Sequence, residues 1–232
     1  MATNREVFDA IASTWYGVRH WPLLRLELSE LAVRWGHGSV ANLGCGTGAD
    51  FLPFKGNFHT VGLDFSRGML RQALRHMARH GYRAPLVQGE LTRLPFADWS
   101  FDHAIGIACY HHIQGESARR QAFSELKRIL RPEGEAFISV WNHEQPRFRG
   151  MSQDQFVQWR DGATTLERYY HLYTREELEA TLRQCGFQVT EIGYGRLRHA
   201  AAEQDPRNIC ALVRRPSAEE SGATHSESEE RD

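Results

Sequence analysis

Three glycines alternate through Gly44-Cys-Gly46-Thr-Gly48, directly after the apolar run Val40-Ala-Asn-Leu43. An acid, Asp64, ends a second apolar run, His59-Thr-Val-Gly-Leu-Asp64. Glycine backbone turns sharply and leaves no Cβ between chain and ligand. A helix beginning just past such a turn aims its first amides at an anionic group. A carboxylate at the tip of the next strand can accept two hydrogen bonds from ribose hydroxyls. The pattern describes a site for an adenosine-bearing cofactor. Gly44, Gly46 and Ala49 also satisfy the looser dinucleotide pattern Gly-x-Gly-x-x-Gly/Ala, so a nicotinamide enzyme stands as a rival on these residues alone. The plain alternative is a turn without a ligand, but three glycines in five residues cost backbone entropy that a mere turn does not require.

The elements that must hold these residues follow from periodicity. Strands are expected near 39 to 43, 58 to 64, 85 to 88, 102 to 109 and 135 to 141, with helices between them near 49 to 53, 67 to 80 and 116 to 130. Residues 4 to 15 and 22 to 35 read as helices, the second through Leu24, Leu28, Leu31 and Trp35. A helix near 175 to 185 ends at Gly186, and strands near 187 to 194 and 207 to 214 close the chain as an antiparallel pair. Residues 143 to 167 read as a polar, irregular insertion. The alternation predicts an α/β fold with a doubly wound, mostly parallel seven-stranded sheet, Rossmann-like, carrying ligands at the carboxyl ends of its strands.

The chain has 232 residues, 41% hydrophobic and 25% charged, which fits one soluble domain with a real core. That domain is expected over 1 to 216, with an N-terminal helical cap at 1 to 36 and an acceptor-side insertion at 143 to 172. No apolar run reaches membrane-spanning length and no apolar signal core opens the chain, so no membrane and a cytoplasmic location are expected. Cys45, Cys109, Cys185 and Cys210 are far apart with no Cys-x-x-Cys, so neither a metal site nor a disulfide frame is expected. Residues 217–232 carry six of the 29 acids and one of the 28 bases, which leaves the preceding body positive by four. The tail has no large apolar side chain and is expected to be disordered.

Further along, Gly89-Glu90-Leu91, Leu94-Pro-Phe-Ala-Asp-Trp-Ser-Phe-Asp102, His111-His112 and Leu130-Arg-Pro-Glu-Gly134 follow the glycine loop and Asp64 in a fixed order. With these the chain resembles the class I S-adenosylmethionine-dependent methyltransferases. The resemblance implies S-adenosyl-L-methionine as cofactor, held by Asn42, Gly44, Gly46, Gly48, Asp64, Glu90 and Leu91. Asn42 stands where that class usually carries an acid, and Glu90 where Asp is commoner.

A narrower resemblance covers most of residues 5 to 215. Val7-Phe-Asp-x-Ile-Ala12, Arg19-His-Trp-Pro22, Ala108-Cys-Tyr-His-His112, Val140-Trp141, Glu144-Gln145, Phe156-Val-Gln-Trp159 and Arg168-Tyr-Tyr-His-Leu172 with Glu177-Leu178 resemble the tRNA wobble-uridine carboxymethyl methyltransferases. That implies tRNA as substrate and a small activator subunit as partner. An acceptor carboxylate is already ionised and needs no base, only a cation to hold it. Arg19 is the first candidate, with Arg168 and Arg207 behind it. His111, just past the fourth strand, would orient the acceptor, or act as base toward a hydroxyl or amine; otherwise it is a loop histidine satisfied by backbone. Trp141 would stack on a flipped uracil or cap the core. Asn208 follows Arg207 where that family tends to carry an aromatic just after the Asn; here the next residue is Ile209.

Two other functions stay open on the sequence: a small-molecule methyltransferase on the same scaffold, and a cofactor-binding scaffold that regulates a partner without catalysis. Arg67, Arg71, Arg75 and Arg79 recur every four residues on one helix. Like charges at that spacing repel, and a phosphate backbone would relieve the repulsion, although a solvated face explains most charge runs.

Overall fold

The two apolar runs that flank the glycine loop lie side by side. In a computed structural model, which describes residues 2–161, 164–195, 207–217 and 219–220, they form β1 (Gly38–Leu43) and β2 (Phe58–Asp64), paired in parallel. The short β3 (Leu86–Gln88) adds in parallel beyond β2, and β4 (Phe101–Ile107) pairs with β1 on its other side. β5 (Leu130–Trp141) follows β4, again in parallel. The chain therefore runs outward in both directions from β1, and a crevice opens at the carboxyl ends of β1 and β4 where the order reverses.

The remaining strands are β6 (Asp154–Asp161), β7 (Thr164–His171), β8 (Gln188–Tyr194) and β9 (Asn208–Arg214). The main sheet has seven strands in the order β3-β2-β1-β4-β5-β9-β8, and β9 runs antiparallel to both β5 and β8. The expected doubly wound sheet with an antiparallel last strand is borne out. Its central strands read as unbroken apolar runs because helices cover both faces.

Those helices are α1 (Asn4–Val18), α2 (Arg25–Trp35), α3 (Arg67–His80), α4 (Glu116–Ile129) and α5 (Arg175–Gln184). Leu24, Leu28, Leu31 and Trp35 are buried against Val40, Ile105, Phe137 and Leu212, so α2 packs on the sheet. α1 packs on α3 and β7 instead. It opens with a reciprocal capping box between Thr3 and Glu6, worth about 1 kcal/mol.

The Leu94–Asp102 motif pins this frame together. Arg128 of α4 bonds Asp98, Glu125 and the carbonyls of Leu94 and Phe96. Asp102 accepts from the Ser39 amide (2.8 Å) and hydroxyl (2.7 Å) and pairs with Arg131. Burial pushes its carboxyl up, but the Ser39 bonds and Arg131 prevail and hold it at about 2.

The polar, irregular insertion expected over 143 to 167 is corrected. β6 and β7 form a separate antiparallel hairpin, in register from Asp154↔His171 to Asp161↔Thr164. A lone hairpin is marginal in water. This one is held by tertiary packing: Trp159 and Leu166 against α1, and Val157 against Phe148, Tyr170 and Leu172. The interleaved polar residues masked that alternation in the sequence. β5 also begins earlier than expected, at Leu130, with its register slipping between Phe101 and His103.

Of the acidic tail, Glu220 pairs with Arg214 at 2.9 Å; residues 221–232 lie outside the described residues. Among the described residues, no helix is long and apolar enough to cross a membrane.

Candidate active site

A cavity of about 290 Å³ opens over the carboxyl ends of β1, β2 and β4. Its floor is Gly44-Cys45-Gly46-Thr47, Asp64 and Gly89–Thr92; its far wall is Ala108, Cys109, His111 to Gln114, Trp141 and Tyr170. Phe8, Trp15 and Arg19 of the α1 region form the roof. Two side chains hold that roof down. Asp9 accepts from Ser66 Oγ and the Gly68 amide, both at 2.7 Å. Asn4 donates to the carbonyls of His112 and Tyr169 and accepts from the Tyr169 amide.

The glycines differ in what they do. Gly44 (φ +67°) packs so close to Cys109 that an added Cβ would lie 2.4 Å from the Cys109 Cβ. Gly46 (φ +52°) faces open space instead, and its amide donates to Asp64 Oδ2 at 2.8 Å. Asp64 Oδ1 accepts from the Ser66 amide at 2.9 Å, which leaves further lone pairs on both oxygens. Burial raises its carboxyl to about 6 against these two amide bonds. Asn42 of β1, two residues before Gly44, is buried with its amide nitrogen unpartnered. Open space at the Gly46 Cα, spare carboxylate lone pairs on Asp64 and an orphaned buried amide fit an adenosine-bearing cofactor. Glu90 and Leu91 lie at the edge of the same cavity, and Glu90 is half-exposed, 3.5 Å from Arg5. Gly48 does not border the cavity; it packs on Ala73 of α3.

On the acceptor side, Trp141, Tyr170 and His111 stack in sequence. Trp141 and Tyr170 ring centres are 4.4 Å apart at 30°, and Tyr170 and His111 are 5.0 Å apart at 16°. One face of Trp141 is thus covered by Tyr170, and the Arg147 guanidinium lies 5.0 Å from the ring centre. His111 Nδ1 accepts the Trp141 amide at 3.1 Å. His112 Nδ1 instead meets the Tyr169 carbonyl at 3.1 Å, so it must be the donor there. The neighbouring imidazoles are therefore opposite tautomers: His111 carries its proton on Nε2, His112 on Nδ1. Burial drives both far below the usual histidine range, His112 to about 3 despite the Tyr169 carbonyl.

Arg168 is 5% exposed and caged by Trp15, Trp159 and Tyr170, with ring centres 5.1–5.3 Å from its guanidinium. Its Nε has no partner, and among the described residues no carboxylate pairs with it. Burial lowers its pKa. Burial raises the Tyr170 phenol, and the charges of Arg168, Arg19 and Arg147 oppose that. Arg19 bridges the two sides: its carbonyl accepts from Thr47 Oγ1 at 2.6 Å, and its charge counters the burial that lifts Asp50 to about 6. The Arg207 side chain is exposed, while its carbonyl accepts from Asn142 and Gln145. Asn208 sits opposite Trp141 in the β5–β9 register, buried, its Oδ1 unpartnered.

The structure thus gathers Arg19, Gly44, Gly46, Asp64, Glu90, Leu91, His111 and Trp141 around one cavity. Arg168 stands behind Tyr170, and Arg207 and Asn208 lie beyond Trp141. Sequence reasoning missed Asn4 and Arg147, whose partners are distant in the chain, and saw Asp9 only within the Val7–Ala12 motif. Tyr170, with Tyr169, carried in the sequence the same two readings as Trp141, stacking on uracil or packing in the core.

A glycine turn at the end of β1 facing a buried carboxylate at the end of β2, on a sheet of this order, is the arrangement of the S-adenosylmethionine-dependent methyltransferases. The chain belongs to that family, as a relative one-third identical over most of its length shows, and residues 40–134 match the family model described as "Methyltransferase domain". A protein of Encephalitozoon cuniculi designated a methyltransferase is 33% identical over 183 residues, covering 75% of this chain and 81% of that one. The tRNA (carboxymethyluridine(34)-5-O)-methyltransferase of Schizosaccharomyces pombe is 29% identical over 219 residues, covering 82% and 91%. Among solved structures, an S-adenosylmethionine-dependent methyltransferase from Clostridium acetobutylicum superposes with TM-score 0.70 at 15% identity, over 91% of this chain and all of that one. A Haloferax volcanii methyltransferase, solved in complex with the Trm112 activator, superposes with TM-score 0.65 at 19% identity over 92% and 98%.

Proposed function

We propose that this methyltransferase esterifies the carboxylate of 5-carboxymethyluridine at the wobble position of tRNA. The observation that carries the reading is the convergence of Arg19, Arg147 and Arg168 on Tyr170, with Arg168 buried and lacking a carboxylate. The ring faces of Trp15, Trp159 and Tyr170 offset part of the cost of burying that cation, and an arriving anion would lower it further. The named activity of the fission-yeast relative supports the same acceptor for this chain.

In this reading Asp64 accepts the two ribose hydroxyls, Gly44 and Gly46 leave room for the methionine end against the backbone, Asn42 lies beneath it, and Glu90 and Leu91 border the adenine. S-adenosylmethionine supplies a methyl group on a sulfonium, open to in-line displacement. The chain's own task is alignment of the nucleophile, because a carboxylate is ionised at neutral pH. Arg19 orients the acceptor carboxylate from the roof, and Arg168 sets the potential from behind Tyr170. His111 donates from Nε2. Trp141 offers the uracil the ring area that Tyr170 leaves free, with Arg207 and Asn208 at the outer rim. Residues 1–216 act as one domain, and the β6–β7 hairpin with the segment before it forms the acceptor side. A small activator subunit completes the enzyme, as the Haloferax neighbour's complex suggests.

Single-turnover methylation of tRNA bearing 5-carboxymethyluridine, beside tRNA bearing plain uridine and a metabolite extract, tests the reading. Transfer confined to the carboxymethylated tRNA is expected. Equal transfer to both tRNAs, or transfer only to a metabolite, overturns it.

A further inference from the structure

We propose that the outer face of α3, with Tyr16, His20 and Trp21 from the end of α1, is the surface on which the RNA backbone lies beside the acceptor cavity; this rests on the tRNA reading above. α3 contains four arginines and two histidines and no acid. Arg67, Arg71, Arg75 and Arg79 are all exposed. Arg67 bonds only the neutral Gln88 side chain, and Arg79 only the Tyr16 hydroxyl and ring. Among the described residues none of the four pairs with a carboxylate. Arginines at successive i,i+4 positions repel one another, and Arg67 also opposes the positive end of the helix dipole. The core does not need them, because the buried residues of the helix are Met69, Gln72, Ala73, His76 and Met77.

The stripe spans about 18 Å of helix axis, long enough for several phosphates. It does not stand alone. Arg79 lies 5.3 Å from the Tyr16 ring centre, and Trp21 packs edge-on to His80 at 5.7 Å. Trp21 remains 54% exposed, an unusual setting for a tryptophan, and lies two residues beyond Arg19 in the cavity roof. Cations that track a backbone, with an exposed ring on which a base can stack, are what single-stranded nucleic acid requires. A protein partner would call for a dry apolar centre; here the exposed apolar side chains, Val18, Trp21 and Leu74, are interspersed with histidines and arginines.

The test compares the full chain with Arg71→Gln/Arg75→Gln and, separately, Trp21→Ala. Binding of tRNA is measured by fluorescence anisotropy between about 50 and 200 mM salt, with calorimetry of S-adenosylhomocysteine as the control. The double variant should bind tRNA roughly tenfold more weakly at low salt, and its log–log salt slope should shrink by about 1.5. Its melting temperature should be equal or higher, since repulsion is relieved. Trp21→Ala should lose about fivefold or more in affinity with an unchanged slope. Cofactor affinity and kcat at saturating tRNA should hold within about twofold, because neither site touches the reacting atoms. A double variant with wild-type affinity and slope overturns the surface while leaving the tRNA reading intact, provided the wild type still binds and methylates tRNA. A wild type that neither binds nor methylates tRNA defeats both.

Discussion

His111 Nδ1 accepts the backbone N–H of Trp141 at 3.1 Å, and that one bond decides what His111 can do. The proton sits on Nε2, and burial, reinforced by His112, Arg168 and Arg19, keeps the ring neutral. In this tautomer Nε2 carries the proton and Nδ1 is occupied, which suits donation rather than proton abstraction. His111→Ala should lower turnover on the order of a hundredfold, the cost of one preorganised donor, and leave S-adenosylhomocysteine affinity unchanged. Wild-type kcat should show no limb with an imidazole midpoint between about pH 6 and 8. A limb that vanishes in the variant would return His111 to the role of general base.

Asp64 carries a pH signature of its own. Its carboxyl is raised to about 6, and the ionised form is the better acceptor for ribose hydroxyls. Affinity for S-adenosylhomocysteine should fall as the pH drops below about 6, with proton release on binding near that pH. Asp64→Ala should weaken binding by about tenfold to a hundredfold and abolish the pH dependence. Calorimetry in buffers of different ionisation enthalpy measures both; unchanged affinity in the variant would remove Asp64 from the ribose.

Arg168 separates function from stability. Arg168→Met keeps the volume between Trp15, Trp159 and Tyr170 and removes a buried, unpaired charge. The melting temperature should hold or rise, because an apolar residue of similar size often replaces a buried charge without loss. Transfer to the carboxylate acceptor should drop sharply with cofactor affinity unaffected. A large loss of stability would instead make Arg168 a structural post for the hairpin.

Arg19→Ala should abolish transfer and spare cofactor affinity, since Thr47 bonds the Arg19 carbonyl and not its guanidinium. Arg19→Lys should recover little, because an ammonium cannot form the planar two-point fork. Normal single-turnover rates in Arg19→Ala would reduce this residue to a partner for Asp50.

Stability of the free protein should fall as the pH drops from 7 to 5. Burial lowers His76 and His103 to about 4 and His112 to about 3, and His111 further still. Below about pH 6.5 the unfolded chain protonates these rings and the native state does not, so each group costs up to about 1.4 kcal/mol per pH unit. Asp50 and Asp64, raised to about 6, act in the opposite sense: the native state takes their protons first, and stability rises as the pH falls below 6. Four histidines outweigh two aspartates. Thermal melts across this range check the sign, and a higher melting temperature at pH 5 would reverse it.

What the sequence by itself determined was the frame. The parallel sheet, the glycine turn and Asp64 are legible because each depends on local rules: unbroken apolar runs mark strands covered on both faces, and a glycine turn followed by an acid at the next strand end is a spacing within one β-turn-β unit. The acids of the Leu94–Asp102 motif were legible as a motif, although their partners Ser39, Arg128 and Arg131 lie elsewhere in the chain. The acceptor side was decided by tertiary structure. Trp141, Arg147, Tyr170, Arg168 and His111 come from separate stretches of chain, and the hairpin that carries two of them exists only because α1 and Phe148 pack against it. Asn4 joins α1 to His112 and Tyr169 across more than a hundred residues, a link no periodicity records. The tautomers of His111 and His112 follow from which backbone group each ring meets, a donor at Trp141 and an acceptor at Tyr169. Neighbours in sequence were thereby given opposite chemistry by the fold, because hydrogen-bond direction is a property of the partner and not of the residue.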